Sequence, residues 1–159
     1  MAEVSRLETS TFVYVTYIRT TAEKLWDALT QPEFTRQYWY GMHQDSEWKP
    51  GSEWSLVAPS GKVADAGEVL ESERPRRVVL KWQHQIMPEL KAEGYSRATY
   101  DVEPMGELVK LTVTHVMEAP NSKFIAQVSQ GWPTILSSLK SLLETGTALE
   151  KTSKLPEGF

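Results

Sequence analysis

The stretch 131–146, GWPTILSSLKSLLETG, constrains the fold of this chain more than any other. Trp132, Ile135, Leu136, Leu139, Leu142 and Leu143 recur at three- and four-residue steps and so share one stripe of an α-helix, while Ser138, Lys140, Ser141 and Glu144 fall off it. Pro133 suits a helix that begins just before it, because first-turn amides have no intrahelical acceptor to lose. That reading makes Ser129 the N-cap and Gly146 a left-handed stop. One amphipathic helix cannot bury its own apolar face, so an earlier part of the chain must cover it.

Residues 11–19, TFVYVTYIR, are rich in β-branched and aromatic side chains and read as a strand. Both of its faces are apolar, with Phe12, Tyr14 and Ile18 on one and Val13, Val15 and Tyr17 on the other. Thr20 or Thr21 caps a short helix that turns Leu25, Trp26 and Leu29 inward, and Pro32 ends it or opens a second helix stopping near Trp39. From Tyr40 to Met117 the pattern is one of strands, near 42–48, 53–58, 62–72, 76–85, 93–103 and 107–118. Lys49-Pro50-Gly51-Ser52 has the Pro-Gly centre of a type II turn, and Pro59-Ser60-Gly61, Arg74-Pro75-Arg76 and Pro104-Met105-Gly106 are further turns. Such short connections imply antiparallel neighbours, since parallel crossovers need about a dozen residues. Asn121 or Ser122 starts a short helical stretch ahead of the main helix. Residues 1–8 and 148–159 read as loosely held tails on a single domain.

The expected architecture is α+β in two layers, a seven-stranded antiparallel sheet with two short helices after the first strand and a long C-terminal helix laid across it. A twisted sheet of this size curls around the helix, leaving a hollow unless large side chains fill it.

The chain has 159 residues, enough for one domain with a real core. Its net charge of −4 comes without any run of Lys or Arg, which argues against a nucleic-acid partner. With no cysteine there can be no disulfide, thiolate ligand or cysteine nucleophile. No segment approaches the roughly 20 apolar residues of a membrane span, so no membrane insertion is expected, and the cytoplasm is the default location.

The segments TFVYVTYIRTTAEKLWDALTQPEFTRQYW, WKPGSEW, GEVLESERPRRVVLKW, LTVTH and GWPTILSSLKSLLETG resemble the START-like helix-grip superfamily, also called SRPBCC. Within it they are most similar to the branch named for homology to the Aha-type activator of heat-shock-chaperone ATPase. The resemblance runs in order over roughly residues 11–147. It implies a deep apolar cavity between sheet and C-terminal helix, of the kind that holds lipids, sterols, polyketides or other hydrophobic compounds. It also implies that two copies can pair as a homodimer. Aha-type co-chaperones carry a separate N-terminal domain with a chaperone-contacting motif. Only about ten residues precede the first strand here, so chaperone interaction is not expected to carry over, and a stress-linked, co-chaperone-like partner-binding module stands as a third reading beside ligand binding and catalysis.

His84 and His115 are the sharpest polar residues, each in the otherwise apolar phase of its strand. They suit either a ligand's polar end and acid–base work near neutral pH, or a core histidine satisfied by its neighbours. Trp39, Trp54, Trp82, Tyr100 and Trp132 either line a pocket or fill the hollow, and the two readings are compatible. With Tyr14, Met117 and Leu136 these residues make up the expected ligand-binding set. Should the protein be an enzyme of the cyclase, dehydratase or hydrolase kind, His84 and His115 are the catalytic candidates. The two histidines with Asp65 or Glu68 lack metal-site spacing, so neither a metal nor a cofactor is expected. No GxSxG elbow, Walker loop or GxGxxG stands in the sequence. Arg74, Arg76 and Arg77 flank a turn and read as a solvated rim or, at the outside, an anion clamp.

Overall fold

A computed structural model describes residues 8–153. Strand β1 (Ser10–Ile18) leads into helices α1 (Ala22–Thr30) and α2 (Pro32–Tyr38). Strands β2 (His43–Ser46), β3 (Glu53–Val57), β4 (Val63–Glu73) and β5 (Arg77–His84) follow. A single-turn helix α3 (Pro88–Lys91), β6 (Ser96–Met105), β7 (Leu108–Met117) and the long helix α4 (Lys123–Thr145) complete the fold. All strand pairs are antiparallel, in the order β1-β7-β6-β5-β4-β3-β2. The expected α+β helix-grip architecture is therefore what the chain adopts. β1, whose place in the sheet the pattern left open, returns beside β7, and α1 and α2 carry the chain across to the opposite edge.

The local chemistry explains most boundaries. Thr21 caps α1 by accepting from the Lys24 amide, and Pro32 takes the first position of α2. The Lys49–Ser52 turn closes with the Ser52 amide on the Lys49 carbonyl at 2.9 Å and Gly51 at φ 88°, as a type II turn requires. The turn expected at Pro104-Met105-Gly106 lies further on. Pro104 and Met105 still pair with Val109 and Leu108, and Gly106 and Glu107 form the bend. In β7 every second residue is buried, which places Val109, Leu111, Val113, His115 and Met117 on the inner face.

Two expectations about the C-terminal part are corrected. α4 starts at Lys123 and runs unbroken through Pro133, so the short helical stretch and the main helix are one element. Its N-cap is Ser122, which accepts from the Ile125 amide; Ser129 lies inside the helix and donates its hydroxyl to the Ala126 carbonyl. The Glu93 carboxylate accepts from the Lys123 amide at 3.0 Å and from the Ser122 hydroxyl. That negative charge at the positive end of the helix dipole supports a start that the sequence pattern missed. Gly146 ends the helix at φ 87°, as expected. The residues after Ala148 are docked rather than loose up to Ser153, with Glu150–Thr152 forming a 3-10 turn. Thr152 is fully buried and its carbonyl accepts from the Tyr40 amide at 2.7 Å. The other expected tail residues, 1–7 and 154–159, lie outside the described part.

The core sits between the concave face of the sheet and α4, with α1 and α2 closing one side. A one-residue bulge at Leu70 shifts the β4–β5 register, and beside it Gly67 lets β5 approach closely, since a Cβ there would lie 1.7 Å from the Lys81 carbonyl oxygen.

Candidate functional site

Tryptophans occupy most of the hollow. Trp54 and Trp82 have ring centroids 4.4 Å apart, Trp39 and Trp132 5.3 Å, and Trp82 and Trp132 5.8 Å. Trp54 is fixed by donating its indole N–H to Gln44 at 2.9 Å, and Gln44 in turn donates to the Leu29 carbonyl. Behind this layer His115 is completely buried. The Trp132 indole N–H donates to His115 Nδ1 at 3.1 Å, so Nδ1 carries no hydrogen and Nε2 does. His115 Nε2 then donates to Ser96 Oγ at 2.9 Å, whose hydroxyl donates to the Trp82 carbonyl. Burial pushes the His115 pKa down to about 3. The ring is neutral near neutral pH and both nitrogens are engaged. Nearby, burial raises the phenol pKa values of Tyr38 and Tyr100.

What the tryptophans leave is a cavity of about 160 Å³. Its floor is the inner face of the sheet, with Leu56, Asp65, Trp82 and His84, and its roof is the N-terminal half of α4, with Phe124, Val128, Gly131, Trp132 and Ile135. Half-buried Tyr40 and Met42 and exposed Gln127 also line it and mark where it meets solvent. The wall is mainly apolar, and its polar feature is a pair. Asp65 and His84 stand directly opposite each other on β4 and β5, with Asp65 Oδ1 3.0 Å from His84 Nδ1. Both side chains are largely buried, at 9% and 13% exposure. His84 Nε2 and Trp82 Nε1 are buried without a hydrogen-bond partner among the described residues. Tyr100 Oη is a third such atom, deeper in the core.

Of the residues expected to bind a ligand, Trp39, Trp82, His84 and Trp132 line this cavity. Trp54, Tyr100, His115, Met117 and Leu136 are packed in the core behind it, and half-buried Tyr14 stacks on Phe12 in β1 instead. The two histidines therefore do not converge on one space. Phe124 and Val128, absent from the expected set, continue the apolar stripe of α4 backwards from Trp132. That periodicity was visible, and reading Pro133 as a helix start cut it off. Among the described residues no three His, Asp or Glu gather as a metal site, and no helix is long and apolar enough to cross a membrane. The three arginines of the β4–β5 turn are matched with carboxylates, Arg74 with Asp27, Arg76 with Glu73, and Arg77 with Glu71 and Asp101. They form an ion-paired rim.

A curled antiparallel sheet gripping one long C-terminal helix, with a cavity where the two meet, defines a protein of the START-like helix-grip class. The family model for activator of Hsp90 ATPase homolog 1-like proteins matches residues 19–144, and the chain belongs to that family. Protein MLL2253 from Mesorhizobium loti is 26% identical over 84% of this chain and 96% of its own, with a TM-score of 0.72. The Aha1 dimer from Colwellia psychrerythraea is 19% identical over 86% of this chain and 98% of its own, with a TM-score of 0.67. DynU16, a putative protein in the dynemicin biosynthetic locus, is 19% identical over 91% of this chain and 49% of its own, with a TM-score of 0.72. The last two likenesses are likenesses of fold. No curated protein matches the chain significantly by sequence.

Proposed function

We propose that this protein binds a small hydrophobic or amphipathic molecule between its sheet and α4, in a cytoplasmic setting. The observation that carries the reading is the cavity of about 160 Å³, walled by Trp39, Trp82, Phe124 and Trp132 and open to solvent between α4 and the Tyr40–Met42 link. Drug-sized ligands occupy roughly 300–1,000 Å³, whereas a dry apolar cavity of roughly 150 Å³ takes up benzene. The magnitude therefore favours one ring over a sterol or an extended polyketide. Burying about 200 Å² of such a ligand at ~25 cal/mol per Å² offers about 5 kcal/mol before ordering costs, which corresponds to weak, micromolar-to-millimolar binding.

Native mass spectrometry of the purified protein, beside the same sample denatured, tests this directly. A defined extra mass lost on denaturation is expected. A bare chain that also shows no saturable response to single-ring aromatic probes would sink the reading.

Two further readings each have an observation in their favour. Asp65–His84 at the cavity wall is the arrangement of a base held by a carboxylate, so an enzyme acting on a hydrophobic substrate would use His84. His115 has no free nitrogen for that work. Turnover of a screened substrate that survived His84→Ala would remove this reading. Val13, Val15 and Tyr17 stand exposed together on the outward face of edge strand β1, and such a stripe suits pairing with a second copy. Light scattering that gives a monomer mass at high concentration would end that reading.

A further inference from the structure

β1 is a free edge of the sheet, and the hydrogen-bond phase of the ladder fixes which of its groups face outward. The Val102 amide donates to the carbonyl of Arg76, just before β5, so even-numbered residues of β6 bond toward β5 and odd-numbered ones toward β7. Arg97 and Thr99 pair with Val116 and Thr114, which leaves odd-numbered β7 residues such as Val113 and His115 to bond β1. Their partners there are Tyr14 and Phe12. The backbone groups of Thr11, Val13, Val15 and Tyr17 therefore point away from the sheet. α4 agrees with this phase and closes one end of the edge: Lys140 Nζ donates to the Tyr17 carbonyl, and the Glu144 carboxylate accepts from the Arg19 amide at 2.8 Å. The outward groups of Thr11, Val13 and Val15 have no hydrogen-bond partner among the described residues.

The two edges of the sheet differ. β2 has only 4 residues and exposes Asp45, which blunts it against further pairing. β1 has 9, and its side chains beside the open stretch are apolar and exposed, Val13 at 54% and Val15 at 43%. The stretch Thr11–Val15 itself carries no charge, but opposite charges flank it. Glu8 precedes it, with Glu118 just past the end of β7; Arg19 follows it, with Lys110 opposite Tyr17. A strand laid antiparallel along this edge meets acid with base at both ends if it has the same layout, and a second β1 has it. Resting on the pairing reading above, we propose that two copies join β1 to β1 about a two-fold axis at Val13, so that their two 7-stranded sheets become one.

In this register Val13 faces its own image and Thr11 faces Val15, each facing pair exchanging two backbone hydrogen bonds. Val13 and Val15 of both copies form one apolar strip on the outer face, and Phe12 faces Tyr14 on the inner one. Glu8 of each copy arrives beside Arg19 of the other. An axis at Val15 would instead set Val13 against Tyr17, whose carbonyl Lys140 already holds. So short a contact lies below the roughly 1,200 Å² of a standard interface, and a dissociation constant on the order of 10–100 µM is expected.

The chain has no cysteine, so a single introduced one reports its distance from its own image. Val13→Cys should link two copies under mild oxidation, since facing residues of such a pair lie about 5.5 Å apart, within disulfide reach. Val15→Cys is nearly as exposed, but its image sits opposite Thr11, roughly 13 Å further along the strand, and should link at least about tenfold less. Sedimentation equilibrium of the unmodified full chain from about 10 µM to about 1 mM should show a monomer–dimer equilibrium. Val13→Lys, which sets two like charges face to face, should weaken it at least about tenfold. Equal linking at the two positions, or a dimer that Val13→Lys leaves intact, would overturn the β1 pairing while association through another surface stands. A monomer throughout, with no linking of Val13→Cys, would end the pairing reading as well. Should Val13→Lys fail to fold, the two cysteine variants decide the matter alone.

Discussion

His84 and His115 occupy equivalent phases of two sheet strands, yet the helix above treats them oppositely. Over His115 it places Trp132, whose indole locks the ring from above while Ser96 holds it from the sheet. Near His84 it brings the ring of Phe124, with centroids 6.2 Å apart, which offers no polar atom, and Gly131 adds no side chain to the same cavity wall. The side chain that α4 sets against each ring separates a histidine used as a building block from one with an unpaired nitrogen. A buried histidine, then, is functional or structural according to what the opposing element brings to it.

The largest test of this contrast is His115→Ala. It removes a completely buried ring and leaves the Trp132 indole N–H without an acceptor. A loss of about 3–4 kcal/mol is expected from urea denaturation, combining the cavity with the orphaned donor. A loss under about 1 kcal/mol would show that the ring is not part of the scaffold.

Acid should expose the same residue next. The folded pKa of His115 is depressed to about 3 by burial, whereas an unfolded histidine titrates near ~6.5. Between those values the unfolded chain takes up a proton that the native state refuses, so stability is full above about pH 6.5 and falls as the pH is lowered. Between about pH 7 and pH 5 the loss from this one group is about 2 kcal/mol. The slope should fall by most of that amount in His115→Phe, leaving the share of His43, whose pKa burial also lowers, measured as urea midpoints at the two pH values. An unchanged slope in His115→Phe would assign the acid sensitivity to other groups.

His84→Ala probes the other side of the comparison and should cost about 2 kcal/mol, most of it from the buried Asp65 carboxylate left without its imidazole partner. Its ring sits at a cavity edge and gives up a single partner, Asp65. A loss as large as that of His115→Ala would make the two histidines alike after all.

Most of the scaffold was legible because each element carries its own local signal. The alternation in β7, the Pro-Gly turn at Lys49–Ser52 and the Gly146 stop all follow from residues within a few positions of one another. The site was less legible, for two reasons that can be located. Pro133 is tolerated inside α4 because packing of the apolar stripe on both sides outweighs one missing amide, so a sound rule about helix starts hid Phe124, Val128 and Gly131. The Asp65–His84 pair depends on the bulge at Leu70. A hairpin with the unbroken register of Glu73 and Arg77 would set Asp65 opposite Gln85, and the extra residue moves it to His84. Nothing in the local pattern announces a bulge. Legibility thus ended where register and opposing elements, rather than neighbours in sequence, decide which atoms meet.

Gly131→Ala carries the smallest expected effect, and its sign distinguishes an open position from a crowded one. Glycine inside a helix costs roughly 0.5–1 kcal/mol relative to alanine, through the freedom it retains when unfolded. Natural helices keep such a glycine when a side chain there would meet something. Here a Cβ would meet nothing within 4 Å, and the backbone is not in the left-handed region. The substitution should therefore raise stability by about 0.5–1 kcal/mol while its methyl group intrudes on the cavity wall, so single-ring aromatic probes should bind more weakly. Gly131→Leu would extend the same intrusion. Stabilisation accompanied by weaker binding of such probes would show that the glycine keeps the cavity beside His84 open at the expense of the helix. Destabilisation would mean that α4 is as tightly packed over His84 as it is over His115, and the contrast between the two histidines would lose its cause.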